Sequence, residues 1–343
     1  MRYINSLWAF YLVWGVMLGT GCNIALSLPM DTTISNWFVK KRGLAISIKW
    51  VFSGLSGVLV MPLIAWMIST QDWRMACFNG GIVMAVVGLP LTWFFVKQHR
   101  PEYYGLLPDG AKIADDIMSD QDSMLKRGAE YASEIKEIEF TARQAMKTRA
   151  FWLLLIAQTI PSLVNPVMTL HCIPFLTDRG IDPIRAAAIM AMMIFFSLPT
   201  RFIGGLIADR LSINNLKYVK TTAYFLQGFS ILLFLLHPTD LMVYIWFILF
   251  GLGQGFSYTI SPLMRARFFG RKAIGSIQGV ASMFMVPFGF LAPIYAGWVY
   301  DTTQSYNTLF IQSTVLLGVA TLITLFLSPP KPPAEITDIG KIV

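Results

Sequence analysis

The chain is a succession of long apolar runs separated by polar turns, and that alternation restricts its fold more than any single residue does. Runs of spanning length lie at about 7–30, 43–69, 74–97, 150–176, 184–208, 216–236, 241–262, 273–299 and 306–327. A hydrocarbon core about 30 Å thick takes roughly 20 helical residues. Lipid offers no partner to an open backbone, so each run is expected to be a transmembrane helix. Nine such helices make an all-α, polytopic membrane bundle. Composition agrees, with 55% hydrophobic and 13% charged residues and a mean hydropathy of +0.58. The net charge of +8 does not point to nucleic acid, because the basic residues fall in the turns; the expected surroundings are a lipid bilayer.

The turns sort by charge. Lys40, Lys41, Arg42, the stretch 97–149, Arg210, Lys217, Lys220, Arg265, Arg267, Arg271, Lys272, Lys331 and Lys341 place 21 of the 27 basic residues on one side. Arg2, Arg74, Arg179 and Arg185 are the 4 on the other. The positive side faces the cytoplasm, which puts the C-terminus inside and the N-terminus outside a multi-pass protein of the cell membrane. Residues 1–97 then form a partial N-terminal bundle of three helices and 98–149 a cytoplasmic linker. Residues 150–328 form a six-helix C-terminal bundle and 329–343 a cytoplasmic tail. In the linker, 111–139 is polar and mixed in charge, which predicts a mobile or loosely helical stretch. Thr141-Ala142-Arg143-Gln144 has capping-box spacing and predicts an amphipathic surface helix running into the fourth span.

A repeat appears at an offset of 231 residues: Trp37-Phe38 falls on Phe268-Phe269, Lys40-Lys41 on Arg271-Lys272, Pro62 on Pro293 and Ala65 on Ala296. Each block is a basic turn followed by a helix with a proline two-thirds along, as in transporters that rock two related bundles about a central site.

One arginine lies deep inside a run. Arg201 precedes Asp209 by eight residues, roughly 12 Å along a helix, which places it near mid-membrane. A charge there costs at least ~2.5 kcal/mol and is kept where a cavity or a partner receives it. Asp31 and Lys49 flank the turn near Lys40 almost symmetrically, so antiparallel neighbours bring them to similar depth, either as a structural pair or as a gate that exchanges partners. His171, near the outer end of the fourth span, is either an interfacial helix-end residue or a group that takes part in proton coupling. Gln158 and Asn165 share that helix. Gln254, Tyr258 and Ser261 share one face of the seventh span, where such residues line cavities or bridge helices. Gly251, Gly253 and Gly255 belong to a membrane helix and read as close packing. Cys22, Cys77 and Cys172 show no metal-ligand spacing, and no metalloenzyme motif or paired carboxylates occur, so no metal, cofactor or enzyme is expected.

Several segments, in order, carry a resemblance. They are Asn36-Trp37-Phe38-Val39-Lys40-Lys41-Arg42-Gly43-Leu44-Ala45, Arg100-Pro101-Glu102-Tyr103-Tyr104-Gly105-Leu106-Leu107-Pro108-Asp109-Gly110, His171 to Gly180, Phe268-Phe269-Gly270-Arg271-Lys272, and Pro293 to Asp301. Together they resemble the monocarboxylate transporter and oxalate:formate antiporter branch of the major facilitator superfamily. Gly205-x-x-x-Asp209-Arg210 is similar to that superfamily's cytoplasmic gate motif. The resemblance spans nearly the whole chain. It implies a bundle of twelve helices whose first three would precede Met1, in line with an outside N-terminus. It also implies secondary active transport of a small organic monocarboxylate-type anion by alternating access, proton-coupled or by exchange.

Arg201 matches the family's eighth-helix arginine and is the implied carboxylate anchor, with Asn165, Gln254 and Tyr258 as further substrate contacts. His171, Asp31, Lys49, Asp209 and Arg210 are the candidates for coupling or gating, Asp209 by accepting from the helix that begins at Gly43. Ser197 stands where monocarboxylate transporters often have an aspartate, and 273–299 lacks the lysine of the oxalate type, so a monoanion is expected over a dicarboxylate. The rival readings are a transport-inactive fragment or partial subunit, and a facilitator for a different organic solute.

Overall fold

The structure, a computed structural model, describes residues 6–18, 21, 28–97, 99–111, 121–133, 138–271 and 273–331. Cys22, Lys272 and the tail beyond residue 331 lie outside them. The helices are α1 (Leu7–Phe10, continued by a π-helix Tyr11–Leu18), α2 (Leu28–Trp37), α3 (Arg42–Thr70), α4 (Trp73–Phe95), α5 (Gln121–Ser133), α6 (Ala142–Met146), α7 (Arg149–Asp178), α8 (Pro183–Arg210), α9 (Leu216–Leu236), α10 (Asp240–Phe269), α11 (Ile274–Thr303) and α12 (Asn307–Leu325). Eight of these, α3, α4 and α7 to α12, are long and apolar enough to span a membrane. The expected count was nine; the run 7–30 carries only α1, the π-helix and the start of α2 among its described residues.

Contacts divide the chain into two units, Met1–Lys41 with Phe52–Lys136, and Arg42–Val51 with Glu137–Val343. In the first, the Arg100–Gly110 segment turns twice, with Gly105 (φ +69°) and Asp109 (φ +60°) in the left-handed region. This aims the Asp109 carboxylate at three successive amides, Val39 (3.2 Å), Lys40 (2.8 Å) and Lys41 (3.0 Å). The Tyr131 hydroxyl donates to the same carboxylate at 3.3 Å, and Lys40 Nζ sits 4.2 Å above the Tyr131 ring. The stretch expected to be loosely helical therefore contains α5, anchored at Tyr131. Gly128 lets it approach: a Cβ there would fall 2.5 Å from Cγ of the buried Glu102. Hydrogen bonds to a charged acceptor contribute about 1.5–3 kcal/mol each. Asp109→Ala should accordingly speed tryptic cleavage at Lys126 and Arg127 roughly tenfold or more under native conditions, read by gel densitometry.

The second unit is the six helices α7 to α12 with the first turns of α3. Its helix starts are written in the sequence: Thr148 accepts from Phe151 N, Asp182 from Ile184 N and Arg185 N ahead of Pro183, and Thr239 from Met242 N, each satisfying an orphan donor. The capping box is present, with Gln144 N donating to Thr141 Oγ1 and Thr141 N to Gln144 Oε1. It opens only the five-residue α6, because Thr148 caps α7 separately; the single helix expected across this boundary is two. At the α10 N-terminal end, Phe175, Phe234, Trp246 and Phe310 pack as one aromatic cluster, with adjoining centroids 4.8–6.2 Å apart.

The glycines of α10 set its neighbours. A Cβ at Gly251 or Gly255 would overlap the Met193 or Ser197 carbonyl of α8, and one at Gly253 would fall 2.5 Å from the Ala223 carbonyl of α9. Backbones thus meet on two sides of one helix, the close packing expected of this triplet. Pro62 lies within α3 and Pro293 within α11. Cys77 and Cys172 are free thiols.

Candidate functional site: a buried arginine and its surroundings

Helix α8 buries Ser197, Thr200, Arg201, Gly204, Gly205 and Ala208, spacings of three and four that define one face. Arg201 is 6% exposed. Its Nη1 donates to the Trp50 carbonyl of α3 at 2.7 Å, and its guanidinium carbon lies 4.8 Å from the Tyr258 ring centroid. Trp50 and Tyr258 stack on each other at 4.9 Å and 18°. No carboxylate among the described residues reaches Arg201, and its Nε is buried without a hydrogen-bond partner. Among the described residues, the charge is met by a neutral carbonyl and a π face. Both are weaker partners than an anion.

Below Arg201 the same face stays against α3. A Cβ at Gly205 would overlap the Gly43 carbonyl and Ser47. Asp209 accepts from Gly43 N (2.7 Å) and Leu44 N (2.8 Å), so a carboxylate occupies the positive end of α3. Residues 201, 205 and 209 therefore contact α3 at three successive levels. Arg210 is exposed, and the ion pair to Asp209 comes from Arg267 of α10, at 3.5 Å. Arg267 escaped the sequence reading because it was counted with a basic turn, whereas α10 runs on to Phe269. Asp209→Ala should leave two helix N–H donors and Arg267 without their anion. The expected loss is about 2–3 kcal/mol, measurable as a fall in Tm of roughly 5–10 °C.

The three α10 residues expected on one face turn to three neighbours. Gln254 Nε2 donates to Asn165 Oδ1 of α7 at 3.3 Å, Tyr258 meets Arg201 of α8, and Ser261 meets Lys220 of α9. Tyr258 joins the arginine directly, while Asn165 and Gln254 form a separate polar pair. His171 lies elsewhere, its Nε2 3.3 Å from the Pro293 carbonyl and its ring 5.8 Å from that of Tyr306. Burial, with Asp178, Tyr300 and Asp301 nearby, pushes the Tyr306 phenol up to about 12, so the ring beside His171 is neutral at physiological pH. Lys49 Nζ sits 4.6 Å from the Trp50 ring. Asp31 is buried in the first unit.

Lys220 was assigned to a turn by its sequence neighbours and is instead buried, at 1% exposure. Its Nζ donates to Ser257 Oγ (2.9 Å), the Ser257 carbonyl (3.3 Å) and Ser261 Oγ, and lies 4.5 Å from the Tyr224 centroid. Helical spacing held the signal. Lys220, Tyr224, Gln227, Ile231 and Phe234 repeat at four, three, four and three and are all buried.

Comparison with known proteins bears on the whole chain. The model of the Major Facilitator Superfamily matches residues 1–292 and 217–342. Monocarboxylate transporter 12 of Mus musculus is 24% identical over 341 residues, covering 94% of this chain and 68% of the relative. Monocarboxylate transporter 2 of Mesocricetus auratus is 26% identical, covering 93% and 64%. The chain thus spans about two thirds of the length of these relatives. In fold it is similar to the proton:xylose symporter XylE (TM-score 0.67, 13% identity, 92% of this chain and 70% of that one). It is also similar to FucP in the outward conformation (TM-score 0.63, 14% identity, 94% and 77%).

Proposed function

This chain belongs to the Major Facilitator Superfamily, and from that premise we propose that it is a multi-pass transporter of a small organic monocarboxylate. Its relatives are transporters, two of them named for monocarboxylates. The observation that carries the substrate class is Arg201. A guanidinium at membrane depth, 6% exposed and without a carboxylate among the described residues, is an anion site held ready. Its fork matches the two oxygens of one carboxylate. Tyr258 supports the guanidinium plane, and Asn165 with Gln254 supplies a polar pair for a second group on the acid. A single cation of this kind favours a monoanion.

Alternating access then uses the α3–α8 contacts. Asp209 on the head of α3 keeps the cytoplasmic side closed, and its release accompanies opening. The membrane is the cell membrane, with the C-terminus in the cytoplasm, by the bias of basic residues. The test is uptake of labelled acetate, lactate, pyruvate and benzoate by proteoliposomes holding the chain, with Arg201→Lys alongside. Saturable uptake that the variant loses is the expected result; equal uptake by both would remove the anchor.

A further inference from the structure

Lys220 is a buried lysine that this reading does not use, and its surroundings suit two protonation states. Ser261 donates its hydroxyl proton to the Ser257 carbonyl at 2.7 Å, so toward Lys220 it can only accept, as can that carbonyl. The Ser257 hydroxyl, 2.9 Å from Nζ, can turn either way. An ammonium finds three acceptors here. A neutral amine finds two acceptors and one donor. Either form of the amine is fully paired by these three oxygens, the Tyr224 hydroxyl beside them being buried without a hydrogen-bond partner, and full pairing of the amine is the condition for it to gain and lose a proton at low cost.

The groups facing Lys220 are few. Arg265 lies on α10, and Tyr224 lies on its own helix. The other helix packed on α9 is α12, which carries no titratable side chain between Asn307 and Leu325. No carboxylate among the described residues touches Lys220. Arg201 belongs to the same environment: Tyr258 beneath its guanidinium follows Ser257 directly, and Thr259 Oγ1 donates to the Arg201 carbonyl at 2.9 Å. One turn of α10, Ser257 to Ser261, thus contacts both Arg201 and Lys220.

Cations reached from one helical turn in a low-dielectric interior repel, so an anion at Arg201 would ease protonation of Lys220, and by linkage that proton would strengthen the hold on the anion. We propose that Lys220 is the proton-binding residue of the transport cycle, so that a carboxylate at Arg201 and a proton on Lys220 Nζ are taken up together as a neutral pair. The proposal rests on the reading of Arg201 as the anchor. It assigns the coupling proton to a residue that does not touch the acid.

The test counts protons. The purified full chain is titrated with acetate, lactate, pyruvate and benzoate in calorimetry at neutral pH, in two buffers of different ionisation enthalpy. The difference in apparent heat gives the protons taken up per acid bound. Wild type is expected to take up up to about one proton per acid, most where Lys220 is neutral before binding. Lys220→Arg, which cannot give up its charge, should bind the acid with none. Lys220→Met should also show none, and serves if the arginine variant is misfolded by circular dichroism. A packing role for Lys220 would leave the proton count unchanged. Uptake by Lys220→Arg or Lys220→Met equal to wild type, or binding by wild type without uptake, overturns the proposal while leaving the anchor intact. Failure of wild type to bind any of the acids, or undiminished binding by Arg201→Lys, overturns the anchor and this proposal with it.

Discussion

Arg201→Lys should reduce carboxylate uptake about 30- to 150-fold, although it keeps the charge. A lysine ammonium is a point donor, so it gives up the parallel pair of bonds that a guanidinium makes to a carboxylate. One charge-assisted bond is worth about 1.5–3 kcal/mol, and most of the loss should come from there. The remainder should come from Tyr258, because a compact, strongly hydrated ammonium does not replace a flat cation lying 4.8 Å from that ring. Initial rates in proteoliposomes would show the effect in both KM and kcat, since the proposed anchor of the acid also contacts α3 through the Trp50 carbonyl. A change confined to KM would mean that the contact with Trp50 takes no part in the cycle.

Gly205→Ala and Gly279→Ala should have opposite signs. A methyl at Gly205 would overlap the Gly43 carbonyl and fall 2.5 Å from Ser47 Cβ, so α3 must move off α8. That displacement strains the Asp209 bonds to Gly43 and Leu44 as well. Overpacking of this kind costs about 1–3 kcal/mol. At Gly279 nothing lies within 4 Å of the added atom, and alanine in a helix is favoured by up to ~1 kcal/mol. Thermal unfolding should therefore separate the two variants by roughly 5–15 °C. Hydrogen exchange at residues 43–47 should rise in Gly205→Ala alone. Equal melting temperatures would mean that α3 and α8 are not held at this contact.

The spans were legible because lipid enforces one rule along the whole chain, apolar residues for about 20 positions. The run read as 216–236 is α9 to the residue, and the others agree within a few positions, apart from 7–30, which is not one long helix among the described residues, and one more. The run read as 241–262 continues to Phe269, past Arg265 and Arg267. Hydropathy ends a span at the first charge, whereas these arginines are held by Gln158 Oε1, by the Leu211 carbonyl and by Asp209. Such partners lie 56 to 107 positions away in sequence, beyond the reach of a local window.

The site followed the same pattern. Arg201 stood out because it breaks an apolar run, and Asp209 because Gly205-x-x-x-Asp209-Arg210 resembles a gate motif. Lys220 did not stand out, since it lies four residues from a turn and only its helical phase reveals burial. Trp50 was missed for another reason. It contributes a main-chain carbonyl to Arg201, and no residue identity encodes that contact.

The spacing of glycines along α10 also limits how the second unit can deform. Met193, Ser197 and Ala223 each present a carbonyl where α10 has no side chain, so sliding or rotating α10 by one residue would drive a Cβ into a backbone on α8 or α9. Those three helices are confined to moving as a single piece. The α7–α11 boundary has no such stop, Gly289 reaching the Ser162 carbonyl at an ordinary 3.5 Å and Gly279 and Gly297 reaching nothing. Pro161, Pro166 and Pro174 interrupt α7, and Pro287 and Pro293 interrupt α11, so bending is cheapest along that seam. Spin labels on α8 and α10 should hold a constant separation through turnover, while a pair spanning the α7 and α11 prolines reports the stroke.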